Sequence, residues 1–235
     1  MYGLDREIGG WGGLCLTMRV ITRTLLLAML TVLGLAAAAP PAVAAPVQTI
    51  ASARHLPVGS AVTVAGTVTT PSGAFSSSFS DNGFGLQDPT AGIYVSTPED
   101  LKVRPGRKAR VTGTLRDSSG LLVLVPTAVE LGNTVGPVIA RPVATSAVGE
   151  STEGLLVRVA GRITQAPVRD LPYGYKFWID DGSGDVQIFV NVQTSIEVAA
   201  FRLGQVVLVT GFSGQFGSHY EVLPRSPRDV CVLYG

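Results

Sequence analysis

The sequence predicts an all-β protein in which one five-stranded unit occurs twice. Three observations carry that expectation. The 235 residues include 28 Gly and 15 Pro, with only 15% charged, a composition of many turns and few long helices. Short stretches alternate apolar and small polar residues with a period of two, as in Ala61 to Thr69, the mark of a half-buried strand. The chain also repeats itself in order. Val64-Ala65-Gly66 recurs as Val159-Ala160-Gly161, and Leu86-Gln87-Asp88 recurs as Ile179-Asp180-Asp181. Val111-Thr112-Gly113 recurs as Val209-Thr210-Gly211, and Leu124-Val125-Pro126 as Val222-Leu223-Pro224. The offsets are 95, 93, 98 and 98, so the order is kept and only loops change length.

The N-terminus is set aside first. Met18 to Arg23 is a positively charged leader, Thr24 to Ala39 an apolar run, and Ala42-Val43-Ala44 an A-x-A cleavage site. Residues 1–44 therefore read as an N-terminal extension followed by a cleaved signal peptide that starts at Met18, with the mature chain secreted, periplasmic or extracellular. The apolar run is shorter than the ~20 residues of a membrane span, so no stable membrane anchor is expected after cleavage. Loss of residues 1–44 removes Arg6, Arg19 and Arg23 together with Asp5 and Glu7, leaving 15 basic against 15 acidic residues. A neutral chain has no global attraction for polyanions, so any affinity for one must be local. Cys15 leaves with the signal, so Cys231 has no partner for an internal disulfide and is expected as a small buried hydrophobe.

Each copy reads as five strands. In the first, Ala61 to Thr69 precedes a hairpin of Phe84 to Gln87 and Ile93 to Ser96. Pro98 to Val103 is expected as one helical turn, and Arg107 to Leu115 and Leu121 to Val125 follow. The second copy repeats this with Leu155 to Thr164, Tyr175 to Asp180, Val186 to Val192, a helical Thr194 to Phe201, Gln205 to Phe212, and His219 to Leu223. Three strands, a short helix and two strands is the order of an OB-fold, a small five-stranded barrel. The expected organisation is thus two tandem OB-fold barrels, at residues 45–137 and 138–235, each with a short helix between strands three and four. Gly66 and Gly161 suit the sharp coiling of a first strand shared between both sides of a barrel.

Ala147 to Gly161, Asp180-Asp181-Gly182-Ser183-Gly184 and Pro224 to Val230 resemble the opening, hairpin and exit segments of OB-fold modules of exported bacterial proteins. Such modules accompany extracellular nucleases and DNA-binding proteins. The resemblance covers the second copy well and the first more loosely. It implies the fold more strongly than any ligand.

OB-folds that bind oligonucleotides or oligosaccharides use the outer face of strands two and three with the flanking loops. Alternation assigns the outward residues of the second copy as Arg158 and Arg162 on strand one, Lys176 and Trp178 on strand two, and Gln187, Phe189 and Asn191 on strand three. The expected ligand site is Arg158, Arg162, Lys176, Trp178, Phe189 and Asn191, in which rings stack on bases and cations meet phosphates. The bland reading is that Trp178 and Phe189 cover an inter-domain contact. The matching positions of the first copy, Thr63, Thr67, Gly85 and Tyr94, lack the cations and all but one ring. Tyr173, Tyr175, Phe212, Phe216, His219 and Tyr220 surround the neighbouring loops and are candidates to extend a groove. Lys102, Arg104, Arg107, Lys108 and Arg110 form a basic run that reads as a solvated strand edge.

No chemistry of an enzyme is apparent. The two His residues, His55 and His219, stand far apart, and there is no metalloprotease motif, paired-Cys zinc spacing or P-loop. Asp180, Asp181 and Asp185 do not follow the spacing of a calcium loop and read as a hairpin turn. No cofactor and no metal are expected. The functional expectation is a non-catalytic exported protein that binds single-stranded nucleic acid weakly through its second copy. The alternatives are a structural module with an extracellular protein partner and, third, a carbohydrate-binding one.

Overall fold

Alternation of Val with Thr and Gly places the strands of the first half as the sequence predicts. β1 (Ala61–Val68), β2 (Phe84–Gln87), β3 (Gly92–Val95), β4 (Arg107–Ser118) and β5 (Leu121–Val135) close into a barrel in the order β1-β2-β3-β5-β4. The computed structural model describes residues 46–234; the leader, its cleavage site and Cys15 lie outside them. The barrel interior holds Val62, Val64, Val68, Phe84, Leu86, Ile93, Val111 and Leu124, all at most 1% exposed. At Gly66 an added Cβ would stand 2.6 Å from the carbonyl oxygen of Gln87. Only a residue without a side chain lets β1 coil there from β4 onto β2.

The second half consists of β6 (Arg141–Pro142), β7 (Leu156–Asp170), β8 (Gly174–Asp180), β9 (Asp185–Asn191), β10 (Val206–Phe216), β11 (His219–Leu223) and β12 (Val230–Tyr234). These make a seven-stranded sheet in the order β12-β10-β11-β9-β8-β7-β6, with β7 also paired to β10. Its pairings repeat those of the first half at the offsets of the sequence repeat. Val64↔Val111 and Gly66↔Ala109 become Val159↔Val209 and Gly161↔Val207. Leu86↔Ile93 becomes Ile179↔Val186, and the parallel pairs Tyr94↔Val123 and Val95↔Leu124 become Gln187↔Glu221 and Ile188↔Val222. Val157, Val159, Phe177, Ile179, Ile188, Val190, Val207 and Val209 fill the space these strands enclose.

The short helices depart from expectation. Residues 98–103 form no helix. The Asp100 carboxylate instead accepts from the Lys102 amide at 2.9 Å, and Lys102 takes φ 55°, a local turn that competes with helix. In the second half Val192–Thr194 and Val198–Ala200 are separate 3₁₀ turns, divided by Ser195 at φ 56°, a left-handed residue no helix can run through. The one α-helix among the described residues, α1 (Ile50–Arg54), precedes β1 and buries Ile50 and Ala53 in the barrel. Each half holds the segment before its first strand in the same way. Asp88 Oδ2 accepts from the Ile50 amide at 2.8 Å and Thr90 Oγ1 from the Ala51 amide at 3.1 Å. Asp181 Oδ2 accepts from the Thr145 amide at 3.1 Å and Ser183 Oγ from the Ser146 amide at 3.1 Å. The hairpin carboxylates thus serve as caps, which explains the Asp-rich turn better than a metal loop. Cys231, expected inside, is exposed on β12, beyond the repeated strands.

The halves meet through an apolar cluster. Tyr94, Leu121 and Val123 of the first barrel pack with Phe212 and Leu223 of the second half, under Ala74 and Phe75 from the loop between β1 and β2. The rings of Phe75, Tyr94 and Phe212 lie 5.2–5.8 Å apart, the spacing of favourable aromatic pairs. Gly92 and Gly154 bring their backbones together, since a Cβ on Gly92 would lie 2.0 Å from the Gly154 carbonyl oxygen. Polar ties flank the cluster: Gln87 Oε1 accepts from the Leu156 amide at 2.9 Å, and Arg225 donates to the Thr69 carbonyl at 2.7 Å. Truncating the central ring in Phe212→Ala is expected to cost about 3–5 kcal/mol. Crowding it in Gly85→Ala, where the new Cβ would meet Thr69 Oγ1 at 2.5 Å and Phe212 at 3.1 Å, is expected to cost about 1–3 kcal/mol. Urea unfolding of each variant measures both values.

Candidate functional site

Strand parity on β8 and β9 is as expected. Phe177, Ile179, Ile188 and Val190 point into the core, while Lys176, Trp178, Gln187, Phe189 and Asn191 are half-buried on the outer face. Cross-strand pairing arranges them in rows. Trp178 faces Gln187, and Gln187 faces Glu221 of β11. Lys176 faces Phe189, and Gly174 faces Asn191. With strands ~4.8 Å apart, the row Trp178–Gln187–Glu221 is ~10 Å wide.

The structure divides the predicted site. Lys176, Trp178, Phe189 and Asn191 share one face. Arg162 stands at the coil of β7, opposite Asp180 of β8 on one side and Val206 of β10 on the other, and its guanidinium donates to the Gly204 carbonyl. Arg158 is on the side of β7 paired with β10 and β6, where its Nε donates to Thr210 Oγ1 at 3.2 Å. The expectation of one six-residue platform fails at Arg158 because β7 coils at Gly161, so its first part faces β10 and only its second part faces β8. Phe189 is split in role: its ring packs against the inter-half cluster, as the bland reading expects. Phe212, a loop candidate by sequence, is a wedge between the halves.

The matching registers set the indole of one half against a sealed row in the other. Trp178, Gln187 and Glu221 correspond to Gly85, Tyr94 and Val123. In the first barrel that row is sealed: Tyr94 and Val123 are 0% exposed under Phe75 and Phe212, and no Cβ fits at Gly85. Burial pushes the Tyr94 hydroxyl far above the usual range, assisted by the Asp81 carboxylate it donates to at 2.8 Å. In the second half the same row carries an indole, an amide and a carboxyl.

Glu221 is the residue that sequence reading missed. It is 8% exposed, and its Oε2 accepts from Gln187 Nε2 at 2.6 Å. Among the described residues no donor meets its Oε1. Burial pushes its carboxyl up to about 7, against the lowering effect of Gln187 and of Lys176 nearby. Lys176 is itself 3.3 Å from Asp170. Asn191 Oδ1, on the same face, is a buried acceptor without a donor. The outward parity of Glu221 was visible, but its burial was not, because that depends on the neighbours β9 and β8 supply. The loops beside the face present exposed Val168, Leu171 and Tyr173 from the β7–β8 hairpin and Phe216 from the β10–β11 hairpin.

Two further features lie elsewhere. A groove of about 1060 Å³ runs between the first barrel and residues 137–142, with Lys108, Arg110 and Arg141 on its walls opposite Glu130. A hollow of about 490 Å³ occupies the matching position beside Gly161 and Arg162. The basic run is solvated as expected but is not a strand edge, because β4 pairs with both β1 and β5 in the closed barrel. The second feature is a buried ionic tie between the halves. Arg54 on α1 reaches Glu153 at 2.9 Å and Glu150 at 3.3 Å. Burial pushes the Glu153 carboxyl up, with Arg54 opposing.

No protein-family model matches the chain, and no curated protein matches it. Among solved structures it is similar to a chain of the S. pombe Stn1–Ten1 complex, at 22% identity and TM-score 0.29, over 33% of this chain and 57% of that one. It is similar to the hypothetical protein ygiW of E. coli, at 18% and 0.30, over 37% and 90%. It is also similar to a murine DNA-binding protein bound with double-stranded DNA, at 13% and 0.38, over 74% and 97%. The chain spans just over half the length of the S. pombe chain.

Glu221 and Glu153 set a pH dependence whose sign is fixed. A carboxyl that binds its proton more tightly folded than unfolded stabilises the fold at low pH and loses that contribution as pH rises through the folded value. Between the ordinary value of 4.5 and about 7, Glu221 is expected to lower stability by about 3 kcal/mol, with Glu153 adding in the same direction. Urea midpoints from pH 5 to 8 are expected to fall, and Glu221→Gln to remove the larger part of the slope.

Proposed function

We propose that the mature chain is an exported, non-catalytic tandem pair of OB-folds that binds single-stranded nucleic acid weakly through the second. The tandem reading is supported by the shared registers and by the β7–β10 pairing, which joins five strands of the second sheet in the same cyclic order as the first barrel. Binding is supported by one observation above others: the outer row that the first barrel buries against its partner half is only half-buried at Trp178 and Gln187 in the second. A half-buried indole offers a sequence-tolerant stacking surface worth ~1–3 kcal/mol per base. Lys176 shares its face, Gln165 of β7 stands opposite it, and Arg162 lies further along β7, opposite Asp180, as a second cation for the phosphates. The affinity is modest because Asp170 holds Lys176, Asp180 faces Arg162, and the mature chain is neutral.

A protein partner in the same extracellular setting is the second reading, favoured by exposed Val168, Leu171 and Tyr173 on one hairpin. The two are separated by a salt-titrated anisotropy assay with labelled single-stranded DNA. Trp178→Ala combined with Arg162→Ala is expected to weaken binding at least tenfold, and wild-type binding is expected to fall with added salt. Equal affinity of the double variant and the wild type refutes the nucleic-acid reading.

A further inference from the structure

The row Trp178–Gln187–Glu221 ends in a carboxyl whose position is unusual for a face that meets polyanions. An outward acidic side chain at such a place ordinarily turns to solvent. Glu221 instead is 8% exposed and is fixed by Gln187 at 2.6 Å, leaving Oε1 without a protein donor among the described residues. Its counterpart in the first barrel is Val123, so the strand position itself does not demand a carboxyl. A carboxyl oriented by one amide, with its second oxygen at the surface and unbonded to the described residues of the protein, is a ready acceptor for a donor from a ligand.

We propose that Glu221, oriented by Gln187, reads the edge of a base lying beside one stacked on Trp178, and that it selects guanine. This rests on the nucleic-acid reading above. In single strands the Watson–Crick edges are free to be read. Guanine alone presents two adjacent donors there, N1–H and N2–H, which match the two oxygens of one carboxylate. The ~10 Å span from Trp178 to Glu221 leaves room for one base on the indole and the next over Gln187. Two parallel hydrogen bonds to a charged acceptor carry geometric as well as energetic selectivity, and a site built to bond a donor rejects an analogue that lacks it.

The charged and titratable groups around Glu221 are Lys176 on β8, Asp170 at the end of β7 and His219 on its own strand; Gly214 of β10, its cross-strand neighbour, carries none. Glu221 accepts both guanine donors only when ionised. Its carboxyl is pushed up to about 7, so selectivity is expected to grow from pH 6 to pH 8.

The test uses the mature chain and three labelled 11-mers: oligo-dT, the same strand with one central guanine, and the same strand with hypoxanthine there, which lacks only the 2-amino group. At pH 8 the guanine strand is expected to bind about tenfold tighter than oligo-dT, with hypoxanthine in between, and the margin is expected to shrink at pH 6. Glu221→Gln, which keeps size but offers one acceptor and one donor, is expected to erase the margin and retain oligo-dT binding. Glu221→Val, the residue of the first barrel, repeats the test should the amide variant misfold. Equal binding of the three strands, or a margin that survives in either variant, overturns the assignment of Glu221. Binding that Trp178→Ala leaves unchanged overturns the underlying reading instead. A tryptophan emission change with cellohexaose and none with any oligonucleotide overturns both and assigns the acceptors to sugar hydroxyls.

Discussion

The structure depends on the packing of Phe212 over Gly85, within the cluster that joins the halves. That contact uses the outer row of the first barrel for cohesion. Once Tyr94 and Val123 are buried against Phe75, Phe212 and Leu223, every neighbouring choice follows. Gly85 lacks a side chain because a Cβ would stand 2.5 Å from Thr69 Oγ1 and press on Phe212 at 3.1 Å. Tyr94 needs Asp81 for its hydroxyl because buried polar groups must be paired. Gly92 and Gly154 are bare because two backbones approach closely there. The second half contributes the wedge, and its own corresponding row is left for other work.

The two halves share pairing registers and differ in what covers the matching row. A small barrel has one outer face where strands two, three and five lie side by side. Burying it yields aromatic cohesion, and leaving it open yields a surface of mixed chemistry. Trp178, Lys176, Gln187 and Glu221 are such a mixture, with an apolar platform, a cation, an amide and a carboxyl within a few strand spacings. The join between the open row and the buried cluster runs through Phe189, half-buried and shared by both.

The ionic tie from Arg54 to Glu153 and Glu150 adds direction to this cohesion more than net strength. A buried pair repays its desolvation only with good geometry. Here Glu153 also accepts from the Leu122 amide at 3.2 Å, so one carboxylate links α1, β5 and the segment leading into β7. Its other oxygen is buried without a partner. Such an arrangement fixes how the halves meet, since an apolar cluster alone tolerates sliding.

Most strands and their parity were legible along the chain, because these depend on neighbours in sequence. Alternation put Phe177 and Ile179 inside and Trp178 outside, and the four matched segments carried the pairing registers of one half onto the other. Turn chemistry was less legible: an Asx turn at Asp100 and a left-handed Ser195 displaced the expected helices, and β5 and β7 run on past their expected ends in hairpin pairing with β4 and β8. The tertiary structure alone decided which outer faces are covered. It separated Arg158 from Trp178 through the coil at Gly161, turned Phe212 from a loop residue into a wedge, and buried Glu221 beside Gln187. Burial on an outer face is set by a second layer of packing, and no period along a strand records what that layer is.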